Sequence, residues 1–338
     1  MGLVRSAMEK IRIVVSSPVD DRSLAMIADA GDWIRMDYLW PLMGAARKGD
    51  ERAKASLDSL LAEAEVLYGW LRVLPERLPS RAPVLKWIQT MSAGVDELPE
   101  EVRQSPIVLT NVSGLHAVPI GEFILGVMLM FVKQAPLCFE QKRQKQYKGF
   151  SPGLLRGRTL GIVGLGHIGR ETARLAKAFG MRVCATRRSA KPGDRARYVD
   201  KVFPLSELLG LLAESDFVVL SLPLTAETRG MIGERELRAV QPEAYLINVA
   251  RGAVVDEDVL VRALQEGWIA GAGLDVFTKE PLPEESGLWD LPNVILSPHI
   301  TGLMPDYLEQ ATRLFCENLE RYRAGKRLLH RVDKARGY

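Results

Sequence analysis

Short apolar runs bounded by turn residues recur along this chain, with helically spaced segments between several of them. Ile11 to Ser16 is predicted as a first strand and Arg22 to Ala30 as the helix behind it. Glu65 to Tyr68, Leu85 to Gln89 and Ile107 to Thr110 follow as short buried runs, with a helix over Ala53 to Ala64. This region reads as one small α/β unit ending near Gly114. A long apolar helix is predicted from Pro119 to about Phe139, its proline suited to a helix start, and Gln141 to Gly157 as a polar connection. Alternation then resumes, with strands over Thr159–Val163, Arg182–Thr186, Phe217–Leu220, Ala244–Asn248, Ala270–Leu274 and Val294–Ser297, and a helix over Ser206 to Ala213. These make a six-strand set. A last helix, Pro305 to Ala324, lies beyond it and is expected to return to the first unit. The pattern is that of an α/β protein with two doubly wound parallel sheets, one domain interrupting the other. The expected division is 1–114 with 303–338, and 115–302 between them.

One stretch organises the rest. Thr159 to Gly169 reads TLGIVGLGHIG: a strand, then glycines at 164, 166 and 169, then a helix through Glu171, Leu175 and Phe179. Strand, G-x-G-x-x-G and helix in that order form the dinucleotide fingerprint. Gly164 permits the tight turn, Gly166 lets backbone approach a pyrophosphate, and Gly169 lets helix and strand pack closely. The helix N-terminus offers N–H groups and partial positive charge to phosphate.

Bulk properties narrow the class. A chain of 338 residues exceeds what one core usually serves. With 47% apolar and 26% charged residues, long disorder is not expected. Net charge is +3, and basic residues concentrate only at Lys142 to Lys148 and Arg187–Arg188, so nucleic acid is not an expected partner. Cys138, Cys184 and Cys316 lack metal-site spacing and read as buried free thiols of a cytoplasmic protein; no metal site is expected. Arg5, Glu9, Lys10 and Arg12 interrupt any signal-peptide core, while Met1-Gly2 with Ser6 matches only the permissive myristoylation pattern. Val118 to Val132 is too short for a bilayer and contains Glu122, so it reads as a buried helix and no membrane partner is expected.

Three ionisable residues stand at or just after predicted strand ends: Arg251 in NVARGAVVD, Glu280 in DVFTKEPLP and His299 in SPHITG. In open α/β sheets ligands bind outside the carboxyl ends of strands. An imidazole there can exchange a proton near neutral pH, and a carboxylate beside it would stabilise the imidazolium and fix the ring. Arginine offers a planar fork for a carboxylate or keto oxygen. Singly, each has an ordinary alternative: a solvated Arg, a Glu in a Pro281/Pro283 turn, a structural His. Their joint placement with the glycine motif favours chemistry.

The chain resembles the D-isomer-specific 2-hydroxyacid dehydrogenases nearly end to end. The resemblance is carried by Ser92-Ala93-Gly94-Val95-Asp96, Val118-Pro119-Ile120-Gly121-Glu122, TLGIVGLGHIG, and Leu222-Pro223-Leu224-Thr225 with Glu227-Thr228-Arg229. INVARGAVVDEDVL, GAGLDVFTKEPLP and LWDLPNVILSPHITG complete it. It implies a Rossmann dinucleotide-binding domain inserted in a flavodoxin-like substrate domain built from both chain ends. It also implies roles. His299 would be the general acid that protonates the carbonyl oxygen, Glu280 its partner, and Arg251 the group binding the 2-oxo acid. Backbone N–H groups of Ala93 and Gly94 would hold the substrate carboxylate. Gly164, Gly166, His167, Ile168, Pro223 and Ala250 would line the cofactor groove, with Asp275 at the nicotinamide carboxamide. The substrate it points to is a small 2-oxo acid, glyoxylate or hydroxypyruvate, and the assembly a homodimer.

Two departures bear on this. An acidic residue is expected about twenty positions after the first glycine, to accept from the ribose hydroxyl of NAD. Here Arg187 stands in that place, followed by Arg188, which favours a 2′-phosphate and hence NADP, with NAD as the alternative. Ser221 occupies a position where many relatives have His, and no functional meaning attaches to it; Tyr147 lies near where several relatives carry an aromatic from the partner subunit. His116 falls in the inter-domain hinge and reads as structural. The rival readings are a dinucleotide-sensing corepressor-like protein of the same fold and a glycine-loop methyltransferase; the latter has no use for Glu280 and His299.

Overall fold

A computed structural model of the chain describes residues 10–338. The Met1-Gly2-Ser6 pattern, Arg5 and Glu9 lie outside the described residues. The chain divides into two compact units, one running through Leu115 and resuming over Met304–Tyr338, the other His116–Leu303.

The first unit opens with β1 (Ile11–Val15), α1 (Asp21–Ala28), β2 (Ile34–Tyr38), α2 (Trp40–Arg47) and α3 (Glu51–Ala62). It continues through β3 (Val66–Gly69), α4 (Leu78–Arg81), β4 (Trp87–Thr90), α5 (Glu100–Gln104) and β5 (Val108–Thr110). Its five strands are parallel in the order β2-β1-β3-β4-β5, which is the flavodoxin-like order. The final helix of the chain, Tyr307–Arg323, covers one face. Phe315 on it stacks on Tyr68 of β3 with ring centroids 4.3 Å apart, and the Tyr68 hydroxyl meets Thr312 Oγ1 at 3.2 Å. The unit is thus completed by residues about 200 positions further along the chain.

The second unit begins with α6 (Ala117–Val132) and α7 (Ala135–Arg143), then β6 (Thr159–Val163), α8 (His167–Ala178), β7 (Arg182–Arg187) and β8 (Lys201–Pro204). After α9 (Leu208–Ala213) come β9 (Phe217–Leu220), α10 (Glu234–Ala239), β10 (Tyr245–Asn248), α11 (Glu257–Gln265), β11 (Gly271–Leu274) and β12 (Val294–Leu296). The seven strands run parallel in the order β12-β11-β10-β9-β6-β7-β8, a Rossmann order extended by one strand. Alternate residues of the central strands face opposite cores. Leu160 and Ile162 of β6 join Phe217 and Val219 of β9 under α6 and α8, whereas Val163, Val218 and Leu220 face the other layer.

Three differences from the sequence pattern have physical causes. The strands that the pattern left out, β2 (IRMDY) and β8 (KVFP), both lie at sheet edges, where one side is solvated and polar residues break the apolar run, so the second sheet has seven strands and not six. The single helix expected from Pro119 to Phe139 is two helices bent by 62°. Pro136 removes a helical N–H in the first turn of α7, and Gln134 before it adopts φ +53°. Among the described residues no single helix is long and apolar enough to cross a membrane. Cys184 is buried and Cys316 partly so, but Cys138 on α7 is exposed, because α7 buries none of its residues.

Candidate functional site

Because every strand of the second sheet runs in one direction, the carboxyl ends of β6, β7, β9, β10 and β11 share one edge. The chain leaves β6 toward β7 and β8 and leaves β9 toward β10 and β11, so the switch point lies between β6 and β9. That is where a doubly wound sheet opens a crevice for ligand.

The glycine turn sits at this point. Gly164 has φ +103°, and a Cβ there would meet the Ser221 carbonyl oxygen at 2.6 Å. A Cβ on Gly169 would lie 2.3 Å from the Gly164 carbonyl oxygen, so both positions require glycine. Ser221, just past β9, donates through Oγ to the Gly164 carbonyl at 2.8 Å. The residue to which the sequence attached no role therefore ties the two strand ends together. At Gly166 a Cβ would meet nothing within 4 Å, so open space lies over the backbone there. Gly166 caps α8 without a side-chain bond, so the first turn of the helix has N–H groups with no intrahelical partner. Open backbone before an uncapped helix N-terminus fits a pyrophosphate.

Further along the same edge stand Arg187 at the end of β7 with Arg188 after it, Pro223 after β9, Ala250 and Arg251 after β10, and Asp275 after β11. Arg187 Nη2 is ion-paired to Asp194 Oδ2 at 2.7 Å. Arg251 is half-buried; its Nη1 donates to the Ala250 carbonyl at 2.7 Å, and Asn248 Nδ2 donates to the Arg251 carbonyl at 3.0 Å. A Cβ on the next residue, Gly252, would fall 1.9 Å from the Phe277 carbonyl carbon, so the Arg251 turn lies directly on the segment leading to Glu280.

His299 and Glu280 are brought together. His299 Nδ1 lies 2.7 Å from Glu280 Oε2, and the other carboxylate oxygen of Glu280 accepts from the Phe277 N–H at 3.0 Å. Both side chains remain partly open to solvent. His299 has φ +54°, a conformation that bulky residues adopt only when their surroundings impose it. Asp275 imposes it. Its carboxylate, 1% exposed, accepts from Ser297 Oγ at 2.6 Å, Ile300 N at 3.0 Å, Thr301 N at 3.3 Å and the Thr301 hydroxyl. Its carbonyl takes the His299 N–H at 2.9 Å. Asp275 thus clamps the loop on both sides of His299, a role that the sequence reading, which aimed it at the cofactor, did not give it.

His116, at the start of α6, is a neighbour of this group. Burial above all, with the charges of Arg251 and His299 adding to it, pushes its imidazole down to about 4. Gly302 makes room for the ring: a Cβ there would lie 2.5 Å from His116 Cδ2. In the first unit, Ala93 and Gly94 follow β4 in a turn held by Asn111 Nδ2 donating to the Ala93 carbonyl at 2.7 Å and by Ser92 N–H donating to Thr90 Oγ1 at 3.0 Å.

A glycine cradle at a sheet switch point, with a paired imidazole and an arginine at the same edge, defines the class as dinucleotide-dependent oxidoreductases. Residues 125–301 match the D-isomer specific 2-hydroxyacid dehydrogenase, NAD binding domain. The chain is 37% identical over 290 residues to a glyoxylate reductase of Thermococcus gammatolerans, covering 82% of this chain and 86% of that one. Its fold is similar to the D-isomer specific 2-hydroxyacid dehydrogenase of Xanthobacter autotrophicus, solved with NADPH and MES (TM-score 0.81, 30% identity, 97% of this chain and 100% of that one). It is also similar to the NADPH-dependent glyoxylate/hydroxypyruvate reductase of Sinorhizobium meliloti, solved with NADP and sulfate (TM-score 0.81, 27% identity, 97% and 100%). The chain belongs to the D-isomer specific 2-hydroxyacid dehydrogenase family, and is an NAD(P)-dependent 2-oxo acid reductase.

His116 supplies a test of this packing. Its folded value, about 4, lies below the ordinary 6.5, so as pH falls through 6.5 the unfolded chain takes up the proton first. Its contribution is fully present above pH 6.5 and is lost as pH falls toward 4, at roughly 1.4 kcal/mol per pH unit at most. Urea unfolding of His116→Gln should show a shallower loss over that window than the parent chain; parallel curves would show that His116 titrates normally.

Proposed function

We propose that the chain reduces glyoxylate or hydroxypyruvate to the corresponding 2-hydroxy acid and takes NADPH in preference to NADH. The observation that carries the chemistry is the His299–Glu280 pair at 2.7 Å, at the sheet edge that also bears the glycine cradle. When bound, the reduced cofactor supplies the hydride to the carbonyl carbon. His299 delivers a proton to the carbonyl oxygen, and removes it in the reverse direction. With Nδ1–H donated to Glu280, Nε2 is the nitrogen that exchanges this proton. Glu280, as a carboxylate, stabilises the imidazolium and holds the ring plane. Arg251 binds the acid and draws electron density from its carbonyl, and the N–H groups of Ala93 and Gly94 take the substrate carboxylate. Gly164, Gly166, His167 and Ile168 cradle the pyrophosphate, with Pro223 and Ala250 along the groove.

The substrate is proposed from the relatives, which include glyoxylate reductases, and the cofactor from Arg187 and from neighbours solved with NADPH or NADP. The three cysteines, none in a disulfide, suit the reducing cytoplasm that we propose as its location. We also propose a homodimer, because Leu137, Phe139, Tyr147, Phe150 and Leu154 are exposed on one sequence segment. Sedimentation should give twice the 37.5 kDa chain mass; a 37.5 kDa species at micromolar concentration would refute the dimer.

Purified protein should oxidise NADPH with glyoxylate or hydroxypyruvate faster than NADH, followed by absorbance of the reduced cofactor. Turnover on neither acid, or a higher efficiency with NADH, would overturn the corresponding part of the proposal. His299→Ala should lose about 10²–10⁴-fold in kcat with cofactor binding kept, and Glu280→Gln, which preserves shape but removes the charge, should lose about 10-fold or more. A loss below about threefold at His299 would remove it from proton transfer.

A further inference from the structure

Arg187 is the last residue of β7, at the position where the fingerprint places a ribose-binding carboxylate, and its guanidinium already has an anionic partner. The chain folds back after the strand through Ala190 N–H to the Arg187 carbonyl at 2.9 Å, then Asp194 N–H to the Lys191 carbonyl at 3.1 Å. Gly193 at φ +86° allows this reversal. The turn aims Asp194 Oδ2 at Arg187 Nη2, 2.7 Å away, and the same oxygen accepts from the Lys191 N–H at 3.2 Å. The two side chains are 32% and 33% exposed, so a ligand reaches them while solvent screens them only in part. Arg187 Nε is buried and has no hydrogen-bond partner among the described residues, so the contact with Asp194 runs through the outer nitrogen Nη2.

We propose that Asp194 sets the discrimination between phosphorylated and unphosphorylated dinucleotides, by competing with the 2′-phosphate for the Arg187 guanidinium. The proposal rests on the dinucleotide reading given above. A 2′-phosphate brings two negative charges to a fork that a carboxylate already holds, so it must displace Asp194 or share the fork against its repulsion. A ribose 2′-hydroxyl carries no charge, and it can donate to the carboxylate. Asp194 therefore lowers affinity for the phosphorylated cofactor and supports the other, which narrows the preference that Arg187 alone would create. Arg188, Lys191 and Arg195 are exposed on the same segment and add positive potential of the opposite effect.

The test uses cofactor halves that undergo no redox chemistry. Calorimetric titration of the full chain with 2′,5′-ADP and with 5′-AMP gives the phosphate preference as a ratio of the two affinities. Asp194→Asn keeps the size and an acceptor but removes the charge. It should raise that ratio about three- to tenfold, through tighter 2′,5′-ADP binding. Adding Arg187→Ala to Asp194→Asn should erase the gain, which a purely structural role for Asp194 would not predict. If the parent chain binds 2′,5′-ADP more tightly than 5′-AMP and Asp194→Asn leaves the ratio unchanged, the proposal fails while the NADPH reading survives. If the ratio stays near one in the parent chain and in Asp194→Asn, Arg187 is not a 2′-phosphate site and both fail.

Discussion

The buried carboxylate of Asp275 is the constraint on which the candidate site depends. Removing a carboxylate from water costs several kcal/mol unless hydrogen bonds replace its hydration. Here four donors replace it, from Ser297, Ile300 and Thr301, which bracket His299. The bonds that make the burial tolerable thus fix the loop, and the loop holds His299 at φ +54° with its ring on Glu280. A histidine on an untethered loop would relax out of that conformation. The geometry of the His299–Glu280 pair is thus set by a residue 24 positions earlier in the chain, through the strand end that carries it.

Parallel topology does the rest. One sheet direction gathers the glycine turn, Arg187, Pro223, Arg251 and Asp275 on a single edge although they span more than 100 residues of sequence. Close backbone approaches then fix their spacing: Gly164 against Ser221 at the switch point, and Gly252 against Phe277 between the Arg251 turn and the Glu280 segment. Burial, with the charges of Arg251 and His299 adding to it, holds the His116 imidazole down to about 4, so this ring adds no charge of its own near neutral pH.

The central strands were legible in the sequence because both their faces are buried, which makes β6, β9 and β10 near-continuous apolar runs. β2 and β8 were not, since an edge strand is half solvated and its polar residues hide the period. The break between α6 and α7 has a sequence signal, Pro136, that the strength of the apolar run before it obscured. Arg251, Glu280 and His299 were identified by residue type, position after strands and family resemblance. The supporting residues were harder: nothing local distinguishes Ser221 or the clamp at Asp275, because their partners lie 57 and 22–26 positions away and depend on tertiary packing, and Asp194 meets Arg187 only once the turn after β7 has formed.

The most direct measurement compares kcat and NADPH affinity in Asp275→Asn. The amide keeps the volume and can still accept on one side, but it sets an N–H₂ against the Thr301 N–H, so half the clamp is lost. If Asp275 acts by holding the His299 loop, kcat should fall by about 10²-fold or more with NADPH affinity nearly unchanged. Retained turnover with weakened NADPH binding would contradict the account, and would make Asp275 a cofactor ligand instead.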